Sequence, residues 1–327
     1  MLRRIGWTCV LVSFGLLAAH EADGAPALWG ELRPGRHAVG YRVLGDSSLT
    51  VHVWYPARGG GETLTYGAYL GAEQARARDF LAQAGIGSAT IEQLMESRLH
   101  GVASAPHEER VARLILVAHG NRQDAIDQVV LCEFLASHGY VVAATPSPML
   151  RTPLEREDQV GELAELQAAE LARATSRVAA ILQVDTTRIG AIGHSFGARA
   201  ALLLAMRDSS IRAVVSLDGG IGTATAQEAF RQAPSFREDA RLPPVLHFYE
   251  TLDPFMKPDF TLLERLDTRG LTIEPTRGMH HTHFTTYGFV AALFPDIARV
   301  TQATGETDRG VVAVAKKVRA FLDRELR

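Results

Sequence analysis

Short apolar runs alternate with stretches of helical spacing along most of the chain. Residues 49–55 alternate apolar and polar side chains and end at Pro56, which predicts a strand. Residues 113–118 (RLILVA) form a continuous apolar run, which is typical of a strand buried on both faces. Further strands are predicted over 140–145, 188–193, 211–217, 244–249 and 271–275.

Helices are predicted between these strands. Apolar residues at helical spacing predict them over 125–137, 157–183, 198–206 and 310–326. Strand–helix alternation with strands buried on both faces predicts an α/β protein, with a mostly parallel sheet covered by helices on both faces. No linker interrupts the pattern, so we expect 26–327 to be a single domain, with a helical insert over 66–110 before the strand at 113–118.

Composition and charge argue against a disordered chain and against a nucleic-acid-binding protein. The chain has 327 residues, of which 46% are hydrophobic and 22% charged, and this is enough apolar material for a large core. A disordered chain is excluded, because it would be poorer in apolar residues. The formal net charge of −3 offers no basic surplus for nucleic acid, so no nucleic-acid partner is expected.

The first 25 residues have the layout of a secretory signal peptide. Arg3 and Arg4 precede an apolar run over 5–19, and small residues follow. The run is short for a membrane anchor and has no stop-transfer flank, which disfavours that alternative. We therefore expect export to the periplasm or the extracellular space, with no stable membrane span after cleavage. Only Cys132 would then remain, so no internal disulfide is expected.

A nucleophile motif lies where a predicted strand meets a predicted helix. Gly193 to Gly197 reads G-H-S-F-G, preceded by an apolar strand and followed by an apolar helix. This strand–turn–helix context is the one that a nucleophile elbow requires, with Ser195 at the turn. The two glycines would leave room where side chains would collide with the adjoining strand and helix.

A serine nucleophile needs a base. Three histidines follow the last predicted strand, namely His280, His281 and His283, and the residue pattern alone leaves the choice among them open. A zinc site built from the same three side chains is an alternative. It is less favoured, because no cysteine and no H-E-x-x-H arrangement accompanies the cluster.

The acid and the oxyanion hole are expected at the ends of other strands. Asp218 directly follows one strand and Asp253, with Glu250 close by, follows the next, so both remain open as the acid. One oxyanion donor should be the backbone amide of Phe196, the residue after the nucleophile. The other should come from the loop after 113–118, with Asn121 preferred and Gly120 as the alternative.

Four stretches resemble a known superfamily. They are VWYPA (53–57), VAHGN (117–121), GHSFGARAA (193–201) and AVVSLDG (213–219). The sequence is similar in these stretches to the α/β-hydrolase superfamily, and within it to the platelet-activating-factor acetylhydrolase and dienelactone-hydrolase-like group. The resemblance spans about 40–325 and implies the α/β-hydrolase fold.

The resemblance also implies choices among the candidate residues. Acetylhydrolases of this group place the acid at a spacing similar to the 23 residues between Ser195 and Asp218, whereas many dienelactone hydrolases place it one strand later, as Asp253 would be. The family base lies in an H-x-x-F string, which 281–284 matches, so His281 is preferred. The family's aspartate two residues after that phenylalanine is replaced here by Thr286.

The implied activity is ester hydrolysis. Dienelactone hydrolases proper use a cysteine nucleophile, so Ser195 indicates a serine esterase that acts through an acyl-enzyme on a small-molecule or lipid ester. No metal and no organic cofactor is expected. The alternatives are a non-catalytic binding protein with the same fold, and a metal-dependent hydrolase that uses His280, His281 and His283.

Overall fold

The strands form one mixed sheet in the computed structural model, which describes residues 28–46, 48–150, 156–252, 254 and 257–327. The predicted signal peptide and Asp253 lie outside the described residues. The strands are β1 (Ala38–Asp46), β2 (Leu49–Ala57), β3 (Thr63–Thr65), β4 (Arg98–Ala103), β5 (Ala112–Ala118), β6 (Val141–Ala144), β7 (Val184–His194), β8 (Ile211–Leu217), β9 (Val245–Glu250) and β10 (Leu271–Thr276).

Six neighbouring strands of the sheet are parallel. The order is β10-β9-β8-β7-β5-β6-β2-β1-β4-β3, and pairing is parallel from β10 through β6. Strand β2 runs antiparallel to both of its neighbours, and β3 runs antiparallel to β4. The predicted mostly parallel sheet is therefore confirmed.

Helices lie between most of the later strands and after the last one. They are α1 (Tyr66–Leu70), α2 (Gln74–Gln83), α3 (Ser88–Glu96), α4 (Val129–Ser137), α5 (Val160–Ala179), α6 (Gly197–Arg207), α7 (Gln227–Arg231), α8 (Thr261–Arg265), α9 (Thr286–Ala291), α10 (Pro295–Thr301) and α11 (Gly305–Glu325). Among the described residues, no helix combines the length and the apolar character needed to cross a membrane.

Strand β5 shows how both faces of the sheet are covered. Ile115 and Val117 join the core cluster that includes residues of α4 and α11. Leu114 and Leu116 point to the opposite face and join the cluster of α5 and α6. All four are at most 1% exposed, as the continuous apolar run predicts. The prediction that helices cover both faces of the sheet is therefore confirmed.

The helical insert needs one correction. Residues 66–96 are largely helical, but 98–103 forms β4, which pairs parallel with β1 and antiparallel with β3. The reason is a period of two over most of RLHGVA, where Leu99 and Gly101 are buried and alternate with the less buried Arg98, His100 and Val102. Strand β1 was also not predicted, and its buried residues Val39, Gly40 and Tyr41 are consecutive, so they do not alternate with exposed ones.

The carboxyl ends of β5, β7, β8 and β9 lie side by side at one edge of the sheet. The loops that follow these strands carry Asn121, Ser195 and Asp218, and β9 itself ends at Glu250. Ligand sites in open parallel sheets lie at this edge. The predicted site residues are thus brought to one region by the order of the strands.

Candidate active site

Ser195 occupies a tight turn between β7 and α6. Its backbone has a φ of 53°, in the left-handed region that non-glycine residues rarely adopt. The turn brings the helix so close that a Cβ atom on Gly193 would lie 2.4 Å from backbone atoms of Ala198. A Cβ on Gly197 would lie 2.3 Å from the carbonyl oxygen of Ala118. Both glycines are therefore required by close approach, as the motif predicts.

His281 lies between the predicted nucleophile and the predicted acid. It begins a 3-10 helix over His281–Phe284, which follows β10. Its Nε2 atom is 2.9 Å from Ser195 Oγ, and its Nδ1 atom is 2.5 Å from Asp218 Oδ2. The structure thus brings these three side chains together in the order nucleophile, base and acid.

Asp218 is fixed by hydrogen bonds on two sides. It directly follows β8, has a φ of 43°, and is 7% exposed. Its amide donates to the carbonyl oxygen of Phe248 at 2.9 Å. Its Oδ1 atom accepts from the amide of Glu250 at 2.9 Å, which leaves Oδ2 turned to the ring of His281.

The loop after β5 lies against the nucleophile. A Cβ atom on Gly120 would lie 2.9 Å from the Cβ of Ser195. The amide of Gly120 donates to Gln123 Oε1 at 2.7 Å, so it is already engaged. Within the described part of the chain, no acceptor pairs with the amide of Phe196 or of Asn121. These are the two amides that the sequence predicts for the oxyanion hole.

His194, the residue before Ser195 in the G-H-S-F-G motif, contacts two loops of the site. It is fully buried, with Nδ1 2.8 Å from Gln123 Oε1 and Nε2 3.2 Å from the carbonyl oxygen of His281. Burial lowers the pKa of His194 well below its ordinary value, so the ring is neutral at neutral pH. This contact could not be predicted from sequence, because His194, Gln123 and His281 are distant along the chain and meet only in the folded structure.

The other two histidines of the cluster have a different environment. The amide of His280 donates to His283 Nδ1 at 2.9 Å, and burial lowers the pKa of His283 to about 4. Among the described residues, the side chains that lie close enough together to share a metal ion are Asp218, Glu250 and His281, and the rings of His280 and His283 are not in this group. The three histidines therefore do not form a common site among the described residues.

Glu250 is a site residue whose role the sequence does not reveal. It ends β9, is 2% exposed, and its Oε2 atom accepts from the amide of His281 at 2.8 Å. Its position at the carboxyl end of the strand beside β8 is the signal that could have drawn attention to it.

The fold and these contacts define the class of protein. The sheet is mostly parallel and covered on both faces, a serine lies in a tight turn after β7, and a histidine that contacts it follows the last strand. This is the arrangement of an α/β-hydrolase. The chain has the α/β-hydrolase fold.

Comparisons with known proteins agree with this class. Residues 114–227, which include Ser195 and Asp218, match a family model described as PETase, PET hydrolase-like. In structure the chain is similar to a ferulic acid esterase from Streptomyces cinnamoneus, with a TM-score of 0.65 and 22% identity, over 93% of this chain and 92% of that one. No curated protein matches it in sequence. Both similarities are to ester hydrolases, since the matched family model is described as PET hydrolase-like and the similar structure is that of an esterase.

Proposed function

We propose that the protein is an exported serine esterase whose catalytic triad is Ser195, His281 and Asp218. The observation that carries the proposal is the position of the His281 ring, 2.9 Å from Ser195 Oγ and 2.5 Å from Asp218 Oδ2. A base within hydrogen-bond reach of the hydroxyl, itself oriented by a buried carboxylate, is what activates a serine nucleophile.

In the proposed reaction Ser195 Oγ attacks the carbonyl carbon of the ester while its proton moves to His281 Nε2. Asp218 holds the imidazole in the required tautomer and stabilises the imidazolium. The amides of Phe196 and Asn121 bind the oxyanion. The tetrahedral intermediate collapses as the alcohol leaves with the proton from Nε2. Water then attacks the acyl-enzyme in the same way and releases the acid.

The proposed substrates are esters with a compact apolar or aromatic acid part. The similar proteins are named for esters of aromatic acids. Apolar side chains also lie exposed near the candidate site, where Met149 is 62% and Leu252 is 38% exposed. The loop of Met149 contacts the oxyanion loop, because the amide of Arg122 donates to the carbonyl oxygen of Leu150 at 2.6 Å. Exposed apolar side chains on loops next to a candidate site favour apolar ligands.

The test uses hydrolysis of p-nitrophenyl esters of increasing chain length, methyl ferulate and bis(hydroxyethyl) terephthalate. We expect the wild type to cleave short and aromatic esters and to react with a fluorophosphonate probe at Ser195. Ser195→Ala should lose both properties, while Ser48→Ala, a change at an exposed loop serine, should keep them. Absence of labelling in the wild type would favour a non-catalytic binding protein, and loss of activity with a chelator would favour the metal-dependent alternative.

Export is proposed from the first 25 residues alone. Expression of the full chain in a bacterial host, followed by fractionation and mass spectrometry of the N-terminus, tests it. We expect a processed protein in the periplasm or the medium, beginning near residue 25. A full-length chain held in the cytoplasm would contradict the proposal.

A further inference from the structure

The carboxyl end of β9 carries a second acidic side chain that contacts both partners of Ser195. Through its backbone, Glu250 donates to Asp218 Oδ1 at 2.9 Å. Through its side chain, its Oε2 atom accepts from the amide of His281 at 2.8 Å. One oxygen or nitrogen atom of each of the three side chains lies within 4.8 Å of the others. Asp218 and Glu250 are buried, so these contacts are shielded from water.

The two contacts set the position of the base relative to the acid. The amide of Glu250 orients one oxygen of Asp218, and the other oxygen faces His281 Nδ1. The side chain of Glu250 holds the backbone of His281 itself, 31 residues further along the chain. Both contacts come from one residue at the end of a sheet strand. They therefore fix the position of the His281 loop relative to the sheet.

We propose that Glu250 is a positioning residue of the esterase. The length of its side chain sets the distance between the His281 loop and the end of β9. The proposal rests on the proposed function, since it assigns a role within the same site. The reach of the side chain matters more than its charge. A glutamine keeps an oxygen at the same distance for the His281 amide, whereas an aspartate keeps the charge but is shorter by one methylene.

His280, in the same loop as His281, is a further titratable group next to this carboxylate, with its Nδ1 atom 3.7 Å from Glu250 Oε2. This distance is longer than a hydrogen bond, so the loop is held to β9 by the amide of His281.

The experiment compares Glu250→Gln with Glu250→Asp by steady-state kinetics on a p-nitrophenyl ester, by the rate of fluorophosphonate labelling, and by thermal unfolding. We expect Glu250→Gln to keep kcat within about threefold of the wild type. Glu250→Asp should lower kcat and the labelling rate about 10- to 100-fold, with KM changed less than about twofold, because a displacement of about 1 Å can cost 10²-fold. A residue that served stability alone would change the melting temperature without this difference between the variants.

Glu133→Asp is the matched control for the shorter side chain, because Glu133 is, among the described residues, another buried glutamate that accepts backbone amides, from His100 and Gly101. It should keep kcat whatever it does to the melting temperature. The proposal is overturned if Glu250→Asp has the kcat of the wild type, or if Glu250→Gln loses as much as Glu250→Asp. Failure of the proposed function has a different signature, namely a wild type that is neither active nor labelled.

Discussion

His194 Nε2 lies 3.2 Å from the backbone oxygen of His281, while its Nδ1 atom lies 2.8 Å from Gln123 Oε1. The residue before Ser195 therefore lies between the loop after β5, which carries Gln123, and the loop of His281. A neutral imidazole has one N–H, so it donates to one of these two oxygens. Its ring centroid is 4.8 Å from that of His281, and packing as well as hydrogen bonding fixes the base.

The variant His194→Ala removes the imidazole that contacts both loops. We expect kcat/KM to fall about 10- to 100-fold, because the base and the oxyanion loop both lose a neighbour that fixes them within the distances needed for proton transfer. Hydrolysis of a p-nitrophenyl ester at saturating and limiting substrate measures the change. A kcat/KM equal to that of the wild type would show that the two loops hold their places without this ring.

Asp218→Asn should be far more damaging. The amide cannot stabilise the imidazolium and can favour the wrong tautomer of His281, so we expect kcat to fall about 10³- to 10⁴-fold with little change in KM. Asp253→Asn is the comparison, because Asp253 is the other acid that the sequence leaves open. Loss of activity in Asp253→Asn but not in Asp218→Asn would reverse the assignment of the acid.

Local patterns explain which parts of the fold could be predicted. Strand β8 was predicted over 211–217 and has those bounds, because a continuous apolar run is sufficient evidence for a strand buried on both faces. Strands β1, β3 and β4 were missed. The period-two signal in β4 is short and follows three helices, so the helical pattern before it masked the change.

The residues of the candidate site likewise include some that could be predicted from the sequence and some that could not. Ser195 could be located because strand, glycines and helix are contiguous in the sequence. The choice of Asp218 and His281 needed the resemblance to a family, since spacing alone left other residues open. The contacts of Glu250 and His194 could not be predicted, because each depends on where the loop of His281 meets a strand end distant in the sequence.

Gly197→Ala tests the packing of the elbow. Its new Cβ would lie 2.3 Å from the carbonyl oxygen of Ala118, a backbone atom of β5 that cannot rotate away. We expect the free energy of unfolding to fall by about 3 kcal/mol or more, measured by urea denaturation. Gly305→Ala is the control, since the nearest atom to its Cβ is 3.9 Å away at the end of the Arg309 side chain. Equal stability of the two variants would contradict the tight approach.

The stability of the protein should decrease in mild acid because of His247. This ring is 1% exposed, contacts Ser216 Oγ through Nδ1 at 2.8 Å, and its Nε2 atom has no partner among the described residues. Burial lowers the pKa of His247 to about 4, from an ordinary value of 6.5. Between these values the unfolded chain binds a proton at this position and the folded protein does not.

The free energy of unfolding should therefore fall as the pH drops from 6.5 to 4, by at most about 1.4 kcal/mol per pH unit for this one histidine. His247→Gln cannot take up the proton and keeps a polar contact for Ser216, so its stability should depend less steeply on pH in that window. Urea denaturation at several pH values measures both slopes. His283, whose pKa burial also lowers to about 4, contributes a slope of the same sign that remains in the variant. Identical slopes in His247→Gln and the wild type would show that His247 does not supply this proton.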